Sequence, residues 1–283
     1  MIAEKLPLLI EKKGNMLSHA KRWITALIAV PLLFWIIAWG GTAAFAVLIM
    51  AASLVGMFEY NRMAFGGGVS VEKIVTTAAA LLFPLAAWGG DRGLLLALAA
   101  LSVITVFVLN LLQTKKGRLE MNGPARAVLG IMYVPLLLSH LILIRALPAG
   151  ELWVFYVLVV AFAGDVAAYY VGRSLGKRKL LVEVSPGKTV AGTVALIVGS
   201  TVGSIVFMGY FFPSASFWHA ALLGLTGGVI GQLGDLTESA LKREAGIKDS
   251  GALLPGHGGI LDRLDCLLFI APFVFYYKEF IIK

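Results

Sequence analysis

Apolar segments long enough to cross a membrane recur along almost the whole chain, and they constrain its fold more than any other feature. A helix needs about 20 mostly apolar residues to span the hydrocarbon core of a bilayer. Of the 283 residues, 59% are apolar and only 14% are charged, whereas soluble domains carry about a quarter charged residues. Nine windows satisfy the length requirement: 23–39, 42–58, 74–90, 94–112, 127–144, 152–171, 190–212, 217–236 and 264–282. Several are interrupted by Gly or Pro, so a count of eight stays open beside the count of nine.

We therefore expect an all-α, polytopic integral membrane bundle that forms a single domain, 1–283, because no Pro/Ser-rich linker separates the spans. Within it, residues 1–122 would be mainly apolar helices, and residues 123–283 would carry the functional site. The first span loosely resembles a signal peptide but exceeds a usual signal core in length, so we expect it to stay uncleaved. The single cysteine, Cys266, excludes an intrachain disulfide and fits no zinc spacing.

The distribution of Lys and Arg predicts the orientation of the spans, because these residues concentrate in short cytoplasmic loops. With the N-terminus placed inside, 20 of the 24 Lys and Arg residues fall in inside segments. The outside segments hold Arg92, Arg145, Lys278 and Lys283. This split predicts a cytoplasmic N-terminus and puts two long polar loops, 173–189 and 239–263, on the cytoplasmic face of a bacterial-type inner membrane. Topology thus explains the excess of positive charge, and no basic run with interleaved aromatics indicates a nucleic-acid partner.

The first four spans contain few polar residues. Glu59 stands at the end of the second span, beside Tyr60, Asn61 and Arg62, where the sequence favours an interfacial anchor over a ligand. The acids Glu72, Asp91 and Glu120 fall in loops, where solvation is the expected state.

Asp165 is different because it lies deep in the sixth span. An unpaired acid there costs several kcal/mol, so such residues usually face a polar cavity and mark a functional site. A tight turn follows at 185–189, where Ser185, Lys188 and Thr189 would offer hydroxyls, amides and an ammonium to an anion.

The densest group of polar residues begins at Asp235, at the end of the eighth span. Glu238, Ser239 and Lys242 follow at helical spacing on the same face, and Arg243 stands beside them. Lys248 and Asp249 come next in the chain, which extends the charged region into the loop.

The same region ends with a histidine among glycines and with two spaced acids. Glycines around His257 let the backbone approach a ligand closely; these are Gly256, Gly258 and Gly259. Asp262 and Asp265 place two carboxylates on one face at the start of the last helix, where the helix dipole also suits acids.

Clustered carboxylates with one nearby histidine and no ligand cysteine favour a hard cation such as Mg2+ over zinc. Carboxylates together with Lys and Arg describe a phosphate site, in which a metal bridges acids to phosphate oxygens and cations neutralise the leaving group. In a membrane protein, the economical interpretation is a reaction between a soluble triphosphate and a lipid.

A longer pattern carries the identification further. The letters SALKR at 239–243, KD at 248–249, PGHGG at 255–259 and DRLD at 262–265 closely resemble the signature of the phosphatidate cytidylyltransferase (CDP-diacylglycerol synthase) family. Supporting matches lie around Asp165 and in the turn at 185–189, so the resemblance covers roughly the last 120 residues.

The resemblance implies transfer of a cytidylyl group from CTP to phosphatidate with release of pyrophosphate, on an all-helical membrane fold. It implies that Asp235 and Asp262 bind the catalytic metals, with Asp165 and Asp265 close by. It implies that phosphate groups are bound, or the site is shaped, by Lys188, Lys242, Arg243, Lys248, His257 and Arg263. The expected cofactor is Mg2+, in more than one copy, and a monovalent cation stays open. The expected partners are CTP, phosphatidate and the bilayer, and a homodimer stays open.

Three other functions compete with this one. A cation- or proton-coupled transporter would also use intramembrane acids, but it would place them near the midplane rather than at one face. An enzyme that consumes CDP-diacylglycerol would need a run of spaced aspartates that the chain lacks. A structural scaffold would leave the acids at 262–265 unexplained.

Overall fold

The computed structural model describes residues 27, 29–113, 121–251, 253 and 258–282. Within this part of the chain, helices form at all nine predicted places. We label them α1 (Ala29–Trp39), α2 (Gly41–Phe65), α3 (Val71–Trp88), α4 (Arg92–Gln113), α5 (Asn122–Arg145), α6 (Gly150–Leu175), α7 (Val190–Phe211), α8 (Phe217–Glu244) and α9 (Leu261–Phe280).

Six of the described helices, α2 to α7, are long and apolar enough to cross a membrane. α1 is shorter in its described part, while α8 and α9 carry many of the polar residues predicted for the site. The prediction of a helical, multi-pass membrane protein is confirmed.

Small residues allow the helices that surround the site to approach closely, as is common in membrane bundles. On α7, Gly199 and Gly203 face Ala163, Ala167 and Val159 of α6, where an added Cβ would leave almost no room. Gly224 and Gly228 of α8 meet α7 in the same way. Ser200 and Ser204 of α7 donate hydrogen bonds to the carbonyls of Val160 (2.8 Å) and Ala220 (2.6 Å), so their buried hydroxyls are satisfied by the neighbouring helices.

A π-helical turn interrupts α5 at Met132–Leu136. Pro135 lies inside it and cannot donate a backbone hydrogen bond, which explains the local departure from α geometry. Tyr133, from the same turn, packs edge-on against Phe269 with 6.2 Å between the ring centroids. The turn thus places α5 directly against α9.

A two-stranded antiparallel hairpin joins α6 to α7 and is the one sheet among the described residues. Its strands are β1 (Lys179–Leu181) and β2 (Ser185–Thr189), with Lys179 opposite Thr189 and Leu181 opposite Ser185. The Thr189 hydroxyl accepts a hydrogen bond from the Gly192 N–H at 3.1 Å and caps α7. The segment predicted as a tight turn is therefore a strand that ends in a helix cap.

Candidate active site

A cavity of about 1230 Å³ opens between α6, the hairpin, α7, α8 and α9. Its charged lining comes from the C-terminal parts of α6 and α8, from both strands of the hairpin, from the loop after α8 and from the start of α9. Apolar or small residues line it one to two helical turns away on α6, α8 and α9, and also on α7; these include Val160, Leu196, Gly227, Gly228 and Ile270. The cavity is therefore polar along one part and apolar along another.

Three aspartates from three different helices meet in the charged part. Asp165, Asp235 and Asp265 all line the cavity, and Asp235 interacts electrostatically with both of the others. Lys188, from β2, reaches across so that its Nζ lies 2.5 Å from Oδ2 of Asp235. The two groups form an ion pair, but their relative orientation does not meet the geometry of a hydrogen bond. We call this set the Asp235 group.

A second ionic group involves α8 and α9. Lys242 Nζ lies 2.5 Å from Glu238 Oε2 and 2.7 Å from Asp262 Oδ1. The exposed fractions of these side chains are 13% for Lys242, 0% for Glu238 and 9% for Asp262. One ammonium therefore contacts two nearly buried carboxyl groups, and we call this set the Lys242 bridge.

The Lys242 bridge shifts the pKa values of Asp262 and Lys242, which both lie outside the predicted spans. Burial favours the neutral form of Asp262, but the hydrogen bonds from Lys242 and the Gly259 N–H prevail and hold the pKa of its carboxyl below the usual range. Burial likewise opposes the charge on Lys242, yet its hydrogen bond to Asp262 and its ion pair with Glu238 raise the pKa of its ammonium. Both groups are thus kept charged by their partners.

Backbone amides complete the surroundings of Asp262. Its carboxylate accepts from the Gly259 N–H at 2.8 Å and from the Ser250 N–H at 3.1 Å. Gly258 has φ +83°, and a Cβ there would lie 2.8 Å from the Asp262 carboxylate. Glycine is therefore required at Gly258 both for the backbone conformation and for the close approach.

The structure gathers most of the predicted site residues at this cavity. Its lining includes Asp165, Lys188, Thr189, Asp235, Lys242, Lys248, Gly258, Asp262, Arg263 and Asp265. Gly256 and His257 lie outside the described residues. The predicted roles of individual side chains stay predictions.

Three other predicted residues are not among the described residues that line the cavity. Arg243 donates to the carbonyls of Val184 and Ile247, both at 3.2 Å, and so ties α8 to the hairpin and to the loop that follows. Ser185 pairs within the hairpin opposite Leu181. Gly259 is buried beside Glu59.

Two acids matter more here than the sequence indicated. Glu238 belongs to the Lys242 bridge, and its spacing of four residues from Lys242 on one helix was the available signal. Glu59 is only 4% exposed and bonds to the chain on both sides of residues 252–257. An acid at the end of a span gives no such indication, because interfacial acids are common.

The chemistry of the Asp235 group suits a hard divalent cation, since its donors are carboxylate oxygens in a polar cavity. Within the described part of the chain, however, no group of three or more His, Cys, Asp or Glu residues is gathered closely enough to form a metal site as it stands. Asp262, predicted as a metal ligand, has its oxygens engaged by Lys242 and two amides. The carboxylate oxygens are therefore the kind of ligand that a hard divalent cation prefers. Among the predicted metal ligands, Asp165 and Asp235 have more accessible carboxylates than Asp262.

Comparison with known proteins agrees with the geometry. Residues 20–281 match the profile of the Cytidylyltransferase family. A phosphatidate cytidylyltransferase from Staphylococcus haemolyticus is 31% identical over 253 residues, which are 89% of this chain and 95% of the relative.

Two further relatives with the same name match more strongly over shorter segments. The Bacillus subtilis protein is 46% identical over 149 residues, or 52% of this chain. The Synechocystis protein is 44% identical over 132 residues, or 46% of this chain. The matched segments span about half the length of these two relatives, 55% and 44%. The resemblance seen in the motifs at 239–265 is confirmed, and with a family match that covers nearly all of its length, the chain belongs to the cytidylyltransferase family.

Proposed function

We propose that this protein transfers a cytidylyl group from CTP to phosphatidate, giving CDP-diacylglycerol and pyrophosphate. The single observation that carries the proposal is the cavity, whose lining is charged along one part and apolar along another. A triphosphate needs cations and metal-binding acids, and a diacylglycerol chain needs an apolar surface. One cavity offers both, in a chain whose relatives carry the name phosphatidate cytidylyltransferase.

The cations of the lining are the proposed phosphate contacts. Lys188 and Lys242 line the cavity from β2 and α8, and Lys248 and Arg263 add positive charge from the loop and α9. Lys ammonium groups act as point charges for phosphate, whereas Arg can bind two oxygens at once. These groups would orient the triphosphate and stabilise the negative charge that builds on the leaving pyrophosphate.

The reaction needs no protein nucleophile. A phosphate oxygen of phosphatidate attacks the α-phosphorus of CTP, a new phosphorus–oxygen bond forms, and the bond to the β-phosphate breaks so that pyrophosphate leaves with its electron pair. The protein contributes by holding both substrates in line and by balancing charge.

The Asp235 group would hold Mg2+ through Asp235 and Asp165, with Asp265 nearby. When bound, the cation would neutralise phosphate oxygens and polarise the α-phosphorus. Lys188, which pairs with Asp235, is placed to exchange that partner for a phosphate oxygen. More than one cation, including a monovalent one, is consistent with this number of acids.

We place the protein in a bacterial-type inner membrane with the charged part of the cavity facing the cytoplasm, where CTP is made. The support is the Lys and Arg distribution, in which only four of 24 fall outside. The cavity residues Lys188, Lys242 and Arg263 belong to the segments assigned inside.

The test is turnover by detergent-purified protein supplied with CTP, phosphatidate and Mg2+, with pyrophosphate and liponucleotide both measured. We expect both products in equal amounts and none with EDTA. Asp235→Asn should lower the rate roughly 100-fold or more, as loss of one placed electrostatic group does. Asp91→Asn is the matched control, because Asp91 caps Leu94 in a loop away from the cavity and Asn caps equally well.

Absence of liponucleotide from the wild type would refute the activity, and full turnover by Asp235→Asn would refute the metal assignment. Light scattering on the same sample measures whether the protein is a homodimer.

A further inference from the structure

Glu59 is a buried acid in the N-terminal part of the chain, where no described residue lines the cavity. It lies on α2 and is only 4% exposed. Its carboxylate accepts hydrogen bonds from the Ser250 hydroxyl at 3.0 Å, the Ile260 N–H at 3.0 Å and the Leu261 N–H at 2.9 Å. These partners are about 200 residues away in sequence.

The contact works as a helix cap supplied by a different helix. α9 begins at Leu261, and Ile260, its N-cap residue, makes no side-chain cap bond. The N–H groups of Ile260 and Leu261 have no partner within α9, because the first turn of a helix leaves its N–H groups without intrahelical acceptors. Glu59 accepts a hydrogen bond from each of them. Its negative charge also meets the positive end of the α9 dipole. Capping thus explains how an acid is accommodated at so buried a position.

Two glycines make the contact feasible. A Cβ on Gly251 would overlap the Glu59 carboxylate, and a Cβ on Gly259 would overlap both that carboxylate and the Ser250 hydroxyl. The chain on each side of residues 252–257 is therefore pressed against Glu59 at positions where a larger residue would not fit.

Ser250 connects Glu59 to the cavity. Its hydroxyl donates to Glu59, while its own N–H donates to Asp262 at 3.1 Å. Asp262 in turn binds Lys242 at 2.7 Å. A continuous set of bonds thus runs from Glu59 through Ser250 and Asp262 to an ammonium that lines the cavity.

We propose that Glu59 is a positioning residue: it fixes the chain around Ser250 and the start of α9 so that Asp262 and Lys242 hold the geometry that CTP binding requires. The proposal rests on the proposed function only for its kinetic consequence. The bonds that Glu59 makes can be tested without turnover.

The probe is Glu59→Gln, which keeps the size of the side chain. Both carboxylate oxygens of Glu59 accept from N–H groups, so an amide must turn its NH2 toward one of them and lose that bond. Asn61→Ala is the matched control, because Asn61 is equally buried on α2 but bonds to Thr76 rather than to the 250–261 region. A change in KM or in amide exchange that is caused only by a weakened α2 would appear in both variants.

The kinetic arm uses the purified full chain, with steady-state rates measured at varied CTP and varied phosphatidate. We expect Glu59→Gln to raise KM for CTP about tenfold or more, with KM for phosphatidate changed less than twofold. Asn61→Ala should leave both KM values within twofold. Partial unfolding would lower only the measured kcat, so the shift in KM separates positioning from loss of folded protein. An unchanged KM for CTP in Glu59→Gln, or an equal shift in Asn61→Ala, would overturn the proposal.

The structural arm measures hydrogen–deuterium exchange of the amides at 259–262, with no substrate present. Glu59→Gln should speed exchange at least tenfold at Ile260 or Leu261, whichever amide loses its acceptor, and Asn61→Ala should speed it at neither. If the wild type makes no CDP-diacylglycerol, the proposed function fails while this arm still decides whether Glu59 holds the start of α9. If exchange at these amides is unchanged in Glu59→Gln, the positioning role is refuted, regardless of the measured activity.

Discussion

Lys242 is the residue whose replacement should reveal most about how this site is held together. The Lys242 bridge contains one ammonium and two carboxylates, and Glu238 is fully buried within it. Lys242→Met keeps much of the length and apolar volume of the side chain but removes the charge. Two acids would then face each other with no nearby compensating cation in the bridge.

The expected cost follows from the burial of the partners. Removing one member of a buried ion pair costs about 3–5 kcal/mol, because it leaves an unbalanced charge behind. We expect about 3 kcal/mol, the low end, since Asp262 keeps its bonds from the Ser250 and Gly259 amides. For a chain of this size, that corresponds to a fall of roughly 6–12 °C in the thermal midpoint.

The assay is thermal unfolding in detergent, followed by tryptophan fluorescence at one fixed scan rate because unfolding of such proteins is often irreversible. Lys177→Met is the control: Lys177 is an exposed lysine, and its loss should cost less than about 0.5 kcal/mol. Burial raises the pKa of Glu238 to about 8, so this acid can take up a proton when Lys242 is lost. Glu238→Gln in the Lys242→Met background should therefore leave the stability close to that of the single variant. The reasoning is refuted if Lys242→Met has the same thermal midpoint as the wild type, or if the double variant is clearly less stable than the single one.

Three further predictions test packing, metal and orientation. Gly234→Ala should destabilise the protein by about 1–3 kcal/mol and lower activity, because its Cβ would press on the Asp265 carbonyl and separate α8 from α9; Gly209→Ala, with open space around it, is the thermal-unfolding control. Removing divalent cations with EDTA should abolish turnover and Mg2+ should restore it, whereas restoration by Na+ alone would contradict the metal proposal. In a Cys266→Ser background, an impermeant maleimide added to intact cells should label Asp91→Cys but not Lys177→Cys, and the reverse pattern would invert the proposed topology.

The apolar windows located every described helix but not the ends of those helices. The eighth window stops at residue 236, whereas α8 continues to Glu244. Hydropathy marks where a helix can contact lipid, while its end is set by capping and by local backbone bonds. Lys242 and Arg243 thus lie on a helix that extends past its apolar part. The hairpin at 179–189 was missed for a related reason, since short polar strands have no apolar period to detect.

The sequence predicts most of the residues that form the site, but not which acid pairs with which lysine. Asp165 within the sixth span, together with acids and lysines near the ends of the eighth and ninth spans, indicated one polar site, and the cavity does bring Asp165, Lys188 and Asp235 together. The sequence could not tell that Lys188 pairs with Asp235 whereas Lys242 joins Glu238 to Asp262. The pairing of Lys188 depends on how the hairpin lies against α8, and that of Lys242 depends on how α8 packs against α9. Gly231 and Gly234 allow this close packing, since a Cβ there would meet Ile270 or the Asp265 carbonyl.

Asp235 and Asp262, although both line the cavity, are held in opposite ways. The Asp235 side chain keeps 30% of its surface exposed and has one close ionic partner, Lys188. Asp262 is 9% exposed and is held by Lys242 and two backbone amides. A carboxylate with spare acceptor capacity can bind a cation at little cost, whereas one with several donors must first give them up. Asp262 is therefore better placed to fix Lys242 and the start of α9, and Asp235 is better placed to meet a metal. Since Glu59 bonds to the same start of α9, we infer that α2 contributes to the site by positioning α9, whereas no described residue of α1 to α4 lines the cavity.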